Sequence, residues 1–155
     1  MSDNLQLNAG SGGSIVITED TGSGHLPVTK VSVGAHGAGQ TGFTPYKLIS
    51  AGSTNATSVK ASAGVVGLIL AINSNAAVRY LKLYNKASAP TVGTDVPVLT
   101  IPIPASTTGA GVSVPIGAPG LLFTTGIAFA LTTGVLDGDT GAVGANDVVV
   151  NLGYF

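Results

Sequence analysis

Glycine and proline interrupt this chain so often that long helices have no room to form. Its 155 residues include 23 glycines and 8 prolines. Inside a helix, each glycine costs about 1 kcal/mol relative to alanine and each proline about 3 kcal/mol, whereas the valines, isoleucines and threonines between them favour strands. Disordered chains have low hydrophobicity, but 45% of these residues are hydrophobic and the mean hydropathy is +0.50. We therefore expect a folded, all-β protein.

Short apolar runs between the interruptions predict about nine to eleven strands, spaced roughly 8 to 12 residues apart. This pattern is typical of a β-sandwich or a jelly-roll-like fold, here a single domain over residues 14–155. Residues 1–13, with Gly10, Gly12 and Gly13 clustered at their end, predict a flexible N-terminal arm. The predicted strands are Ser14–Thr18, Val28–Val33, Thr44–Ile49, Thr57–Ala61, Val65–Ile72, Ala77–Tyr84, Val96–Ile103, Gly111–Ile116, Leu121–Thr124, Ile127–Thr132 and Val148–Phe155.

For three of these strands, the sequence also predicts burial, pairing or position in the sheet. Val65–Ile72 is apolar throughout, which favours a strand buried on both faces or lying at the centre of a sandwich. The next strand, Ala77–Tyr84, is expected to pair with it as a hairpin across residues 73–76. Pro97 and Pro102 predict that Val96–Ile103 lies at a sheet edge or is interrupted, because proline has no N–H to donate a hydrogen bond to a neighbouring strand.

Charge is scarce and unevenly distributed along the chain. Only 8% of the residues are charged, where soluble domains carry about 25%, so we expect the surface to be used inside an assembly. All six basic residues precede Ala87, and every charge after it is an aspartate. The uneven distribution is either chance, or it gives the molecule a basic side that meets an acidic partner or the acidic loop of a neighbouring copy.

The same features argue against nucleic acid and membrane as partners. The net charge is −1, which gives no reason to expect nucleic-acid binding. The longest apolar run, Ala63–Ile72, is half of the roughly 20 residues that a membrane-spanning helix needs. Residues 1–14 contain no lysine or arginine, so we expect no signal peptide there.

Motifs for catalysis and metal binding are weak. The chain has no cysteine, which excludes thiol chemistry and thiolate metal sites. It has no Gly-x-Ser-x-Gly motif, and His25 and His36 stand in glycine-rich segments. Asp137-Gly-Asp-Thr-Gly resembles the start of a calcium loop but lacks its continuation; it predicts a turn, with a calcium site shared with Asp147 as the alternative. We expect no enzyme activity, cofactor or metal.

One stretch, Arg79–Lys86, combines aromatic and basic residues. Alternation along a strand puts Tyr80, Lys82 and Tyr84 on one side, which we expect to be an exposed face. Such a face is either ordinary surface or a contact for protein, sugar or bases. The candidate protein-interface residues are Arg79, Tyr80, Lys82, Tyr84 and Lys86.

Ala77–Pro104 and Thr124–Phe155 resemble structural proteins encoded by tailed bacteriophages. His25–Gly39 is similar to the opening of many such proteins, where a basic residue in a strand precedes a Gly-Ala-x-Gly turn. The resemblance implies a β-sandwich on the outer capsid surface of the virion, of the capsid decoration or cement protein type. It also implies a homotrimer that clamps neighbouring copies of the major capsid protein, with the residue 1–13 arm reaching a neighbour.

Two alternatives remain open at this point. A trimeric tail-fibre or receptor-binding module would hold host glycan with Tyr80 and Tyr84 or with a loop, and would occur in far fewer copies per particle than a decoration protein. A glycan-cleaving enzyme would need two convergent carboxylates, and no spacing in the sequence favours such a pair.

Overall fold

A computed structural model describes residues 4–6, 15–20, 25–27, 42–114, 116–117 and 119–155. The chain divides into two compact units, Met1–Gln40 and Thr41–Phe155. Every regular element in the described ranges is a strand, which confirms the all-β prediction. Within those ranges there is accordingly no helix of the length and hydropathy needed to cross a membrane.

The first unit contains a three-stranded antiparallel sheet. Its strands, in the order β1-β2-β3, are β1 (Asn4–Gln6), β2 (Ile15–Asp20) and β3 (His25–Pro27). β1 pairs with β2, although it falls in the range predicted to be an arm. The boundary between the two compact units follows residue 40. The predicted strand Val28–Val33 lies outside the described residues.

The second unit contains nine strands, and each overlaps a predicted one. They are β4 (Thr44–Ile49), β5 (Thr57–Lys60), β6 (Gly64–Asn73), β7 (Arg79–Asn85), β8 (Leu99–Ile103), β9 (Ala110–Val114), β10 (Leu121–Phe123), β11 (Ile127–Thr132) and β12 (Val148–Tyr154). Glycine, proline and polar turn residues separate them, as the sequence predicts.

These strands form two antiparallel sheets packed as a sandwich. The four-stranded sheet has the order β5-β11-β7-β8, and the five-stranded sheet has the order β10-β6-β12-β4 with β9 also on β6. β10 pairs with Gly64–Val66 and β9 with Ile69–Asn73, so together they act as one interrupted edge strand. Counting them once and numbering in chain order gives the sheets 1-8-3-6 and 2-7-4-5. This is the strand order of a jelly roll.

The topology corrects one strand-pairing prediction and confirms another. β6 and β7 belong to different sheets, so the hairpin predicted across residues 73–76 is wrong. The chain crosses between sheets there, and buried Asn73 holds the crossing because its Nδ2 donates to the carbonyls of Ala77 (2.9 Å) and Pro104 (3.0 Å). β8 lies at a sheet edge with Pro102 exposed, as its prolines predict.

Inward-facing side chains from both sheets form a single core. Ile69, Leu83, Phe129 and Val150 come from four different strands, and all are fully buried. Tyr46 meets the ring of Phe129 edge-on, with the ring centroids 5.9 Å apart. Because each such side chain contributes about 1.5–3 kcal/mol on burial, this core fixes the two sheets relative to each other and defines their two outer sides.

Candidate functional site

The predicted candidate segment forms β7, an inner strand between β11 and β8. Leu81 and Leu83 point into the core between the sheets. Tyr84 belongs instead to a second cluster with Ala128 and Ala130, on the outer side of the four-stranded sheet. The predicted alternation along this strand is therefore confirmed.

The outer side of β7 is nevertheless not an exposed face. Lys82 has 0% and Tyr84 1% of its surface accessible, while Tyr80 is half-buried. In the neighbouring strand, Ala130 pairs with Lys82 and Ala128 with Tyr84, and these small side chains leave room for the two large ones. The prediction that this face is exposed is wrong for Lys82 and Tyr84.

Two loops of the same chain cover these residues, and we call residues 90–98 and 133–140 the loop cover. Lys82 Nζ donates a short hydrogen bond to the carbonyl of Leu136, and Val92 packs against the cluster that contains Tyr84. The two loops also touch each other. A Cβ on Gly93 would lie 2.5 Å from Thr140 Cγ2, so glycine is needed for this close approach.

Tyr84 is a structural side chain under the loop cover. Its hydroxyl has no hydrogen-bond partner among the described residues. Burial raises the pKa of this phenol, and the nearby charges of Asp95 and Asp137 raise it further. A neutral ring enclosed in this way packs against Ala128 and Ala130 and cannot stack on a sugar or a base.

Lys86, at the end of β7, binds residues 90–98 of the loop cover. Its Nζ forms an ion pair with the Asp95 carboxylate, and the same carboxylate accepts a hydrogen bond from the Thr91 amide (2.6 Å). The bond from Lys86, followed by that from Thr91, lowers the pKa of Asp95. Lys86 is therefore engaged within its own chain.

Arg79 is engaged in the same way at the opposite end of β7. Its Nη2 lies 2.9 Å from Asp147 Oδ2, with both side chains largely buried. Asp147 also accepts from the Gly144 amide (2.9 Å) and from Asn75 Nδ2 (3.1 Å). Burial acts to raise the pKa of Asp147, but these hydrogen bonds and the Arg79 charge outweigh it and lower the pKa. Basic residues before Ala87 and aspartates after it thus partly serve ion pairs within the chain.

The candidate calcium loop is organised by backbone amides. Asp139 Oδ1 accepts from the amides of Gly134 (3.0 Å) and Gly141 (3.1 Å), while Asp147 is paired with Arg79. The described ranges hold no group of three or more histidine, cysteine, aspartate or glutamate residues able to bind a metal. His25 lies in β3, and His36 lies outside the described residues.

The sequence reasoning missed the outer side of the five-stranded sheet, which we call the open face. Four of its large apolar side chains are strongly accessible: Phe43 45%, Ile49 53%, Leu68 43% and Leu122 64%. Leu70, Ile72 and Val149 complete it and are half-buried. The signal is the apolar run of β6, which predicts a strand buried on both faces or lying at the centre of a sandwich, whereas Leu68 is exposed.

Strand register arranges the open face in rows. Val149 lies between Ile49 and Ile72, and one row along, Asn151 lies between Lys47 and Leu70. Lys47 is the one charged side chain among the described residues of these rows. The first row therefore presents apolar side chains from three adjacent strands, and the second presents Leu70 beside Asn151, with the Lys47 cation at the β4 edge.

Phe43 closes one end of the open face. It lies over Gly67 and Gly153, where a Cβ on either glycine would meet its side chain. Its ring centroid is 4.6 Å from that of Phe155. The two glycines let an aromatic ring lie close to the sheet, and the accessible ring extends the apolar surface.

The two outer sides of the sandwich differ in the contacts that they offer. Comparison with known protein families, curated proteins and solved structures found no match. The open face can bury apolar area against another protein, while the acids at the two ends of β7 hold ion pairs. The functional candidate therefore shifts from β7 to the opposite sheet.

Proposed function

We propose that this chain is a structural virion protein of a tailed bacteriophage, a capsid decoration protein that joins the outer capsid surface and stabilises contacts between major capsid subunits. The observation that carries the proposal is the open face, an apolar sheet surface accessible at Ile49, Leu68 and Leu122. It occurs on a chain of which only 8% is charged. The resemblance of residues 77–104 and 124–155 to phage structural proteins supports the same role.

The size of the open face suits a contact repeated on a lattice. Three to four rows about 7 Å apart across four strands about 4.8 Å apart cover roughly 400–550 Å². A standard interface buries about 800 Å² on each partner, so one such contact is weak. Many copies bound to a repeating surface convert weak contacts into stable attachment.

The tail-fibre alternative is less well supported. A glycan site on Tyr80 and Tyr84 needs both side chains on the surface, but Tyr84 is buried beneath the loop cover, which leaves this alternative only a site on a loop. An enzyme is also less well supported, because Asp95 and Asp147 hold ion pairs with Lys86 and Arg79. The proposed role is therefore binding without catalysis.

Copy number and heat resistance of the particle test this proposal. We expect quantitative mass analysis of purified particles to find the chain in numbers comparable to the capsid subunit. Particles lacking the chain are expected to break open at a lower temperature. Unchanged capsid stability together with lost adsorption to the host would instead identify a tail-fibre component.

A point variant tests the surface itself. Leu68→Asp places a charge in the middle of the open face, and we expect it to reduce incorporation into particles. Ser62→Asp is the matched control, because Ser62 is exposed in the turn between β5 and β6. Equal incorporation of the two folded variants would contradict the role of the open face.

A further inference from the structure

A second apolar patch lies on the other side of the sandwich, on the loop cover. Its accessible side chains are Val96 71%, Val98 57%, Val135 53% and Leu136 75%. The loop cover lies over the outer side of the four-stranded sheet, and the open face is the outer side of the five-stranded sheet. The second unit thus presents two apolar patches facing away from each other.

The two patches differ in charge. Lys47 is exposed on the open face, where the described residues include no acid. The loop cover carries Asp137, which is exposed beside Leu136, and Asp139. Its third acid, Asp95, is neutralised by Lys86. The open face is therefore apolar with a positive edge, and the loop cover is apolar with a net negative charge.

We infer that the occupant of the open face is the loop cover of a second copy of this chain. In this contact, Val96 and Leu136 of one copy lie on the apolar rows of the next, and Asp137 lies near Lys47. The inference rests on the proposed assembly role of the open face and names its partner. It is tested in solution without particles, so its failure is distinguishable from failure of the virion proposal.

Charge and burial favour this arrangement over packing two open faces together. A two-fold contact between open faces would bring together two faces whose described charge is basic, and would leave Leu136 75% exposed. The contact between unlike patches covers both surfaces and pairs opposite charges. Because it is heterologous, each added copy leaves one patch free, and association does not stop at a dimer.

Charge reversal at the two proposed contact positions gives a decisive test. We expect sedimentation velocity of the full chain to show an average mass that rises with concentration beyond that of a dimer. Lys47→Glu alone and Asp137→Lys alone should each weaken association about fivefold, the effect of replacing a surface attraction by a repulsion. An equimolar mixture should regain wild-type association, because every contact between unlike copies again pairs opposite charges.

The matched control is a mixture of Lys47→Glu and Lys47→Gln, which we expect to gain nothing over its components, because none of its contacts pairs opposite charges. Circular dichroism of each variant confirms folding, since both positions are exposed. Failure of the charge-reversed mixture to recover would overturn the inference. So would a wild-type chain that stays monomeric at its highest soluble concentration, or a dimer insensitive to Asp137→Lys, which indicates packing of two open faces.

Discussion

The two sheets of the sandwich share one core but differ on their outer sides. The outer side of the four-stranded sheet lies beneath the chain's own loops, so that Lys82 and Tyr84 are fully buried. The outer side of the five-stranded sheet leaves Ile49 and Leu68 about half accessible. Loops of the chain therefore cover the outer side of one sheet of the jelly roll, whereas the outer side of the other sheet is accessible.

The size of the outward side chains explains the difference. On β11, the outward residues are Ala128 and Ala130, and all six residues of the strand are buried. On β6, the outward residues include Leu68, Leu70 and Ile72, which are large, and Leu68 is 43% accessible. Small residues make room for loops that the chain supplies. Large apolar residues left accessible indicate a surface that another molecule covers.

The largest expected effect comes from removing the side chain that fills the covered side. Tyr84→Ala should lower the free energy of unfolding by about 3 kcal/mol, because it leaves a cavity under the loop cover. Tyr84→Phe is the matched control and should cost nothing, because the hydroxyl has no partner among the described residues. Denaturant unfolding measures both. A tyrosine-to-alanine loss below about 0.5 kcal/mol would show that the cover does not pack on this ring.

The ion pair at the end of β7 should rank next. Asp147→Asn should cost about 2 kcal/mol at neutral pH, because it leaves the largely buried Arg79 without its carboxylate. Asp137→Asn, at an exposed position, is the control and should change the free energy of unfolding little. Similar losses in the two variants would contradict the structural role of this pair.

The Arg79–Asp147 ion pair should also contribute to the pH dependence of the free energy of unfolding in the acid range. The pKa of Asp147 is lower in the folded chain than its ordinary value, so its contribution is complete above the unfolded pKa near ~3.9. That contribution is lost as the pH falls through the lower folded pKa. Asp147→Asn should therefore flatten the fall in unfolding free energy across this acid range. A pH profile unchanged by the substitution would show that other carboxylates account for it.

A smaller effect is expected where the two loops of the cover touch. Gly93 has φ +87°, and an added Cβ would lie 2.5 Å from Thr140, so Gly93→Ala should cost roughly 1–2 kcal/mol. Gly138→Ala is the control, with no atom within 4 Å of its added Cβ. Thermal unfolding of the two variants compares them, and equal midpoints would contradict the close approach of the loops.

The smallest effect on folding should come from the open face. Ile49→Thr should change the free energy of unfolding by less than about 0.5 kcal/mol, because Ile49 is half accessible. It should nevertheless weaken self-association about fivefold, because less apolar area is buried in the contact. Sedimentation and denaturant unfolding together separate the two effects. A stability loss without any change in association would mean that the open face serves only the fold.

Strand positions could be predicted from the sequence because local pattern determines them. β4 and β11 match their predicted bounds, and Pro102 correctly placed β8 at an edge. Sheet membership could not be predicted in this way. The hairpin between β6 and β7 failed because crossing between sheets depends on long-range contacts, such as those of Asn73 with Pro104.

The solvent exposure of the two outer sides could not be predicted from the local sequence pattern either. The alternation in β7 identified which residues share a side, but the loops that bury Lys82 and Tyr84 come from residues 90–98 and 133–140. Conversely, the apolar run of β6 predicts burial equally for a monomer and for an assembled subunit. Only the fold shows which of its residues the described part of the second unit leaves uncovered.

The most direct test of the open face as the assembly contact uses a single cysteine, since the chain contains none. Leu68→Cys places a thiol on the open face, and Ser62→Cys places one on an exposed turn. We expect a thiol reagent to label both variants in the free protein, at a concentration where it is monomeric, but to label only the Ser62→Cys variant in assembled particles. Equal labelling of Leu68→Cys in the free and assembled protein would contradict this expectation.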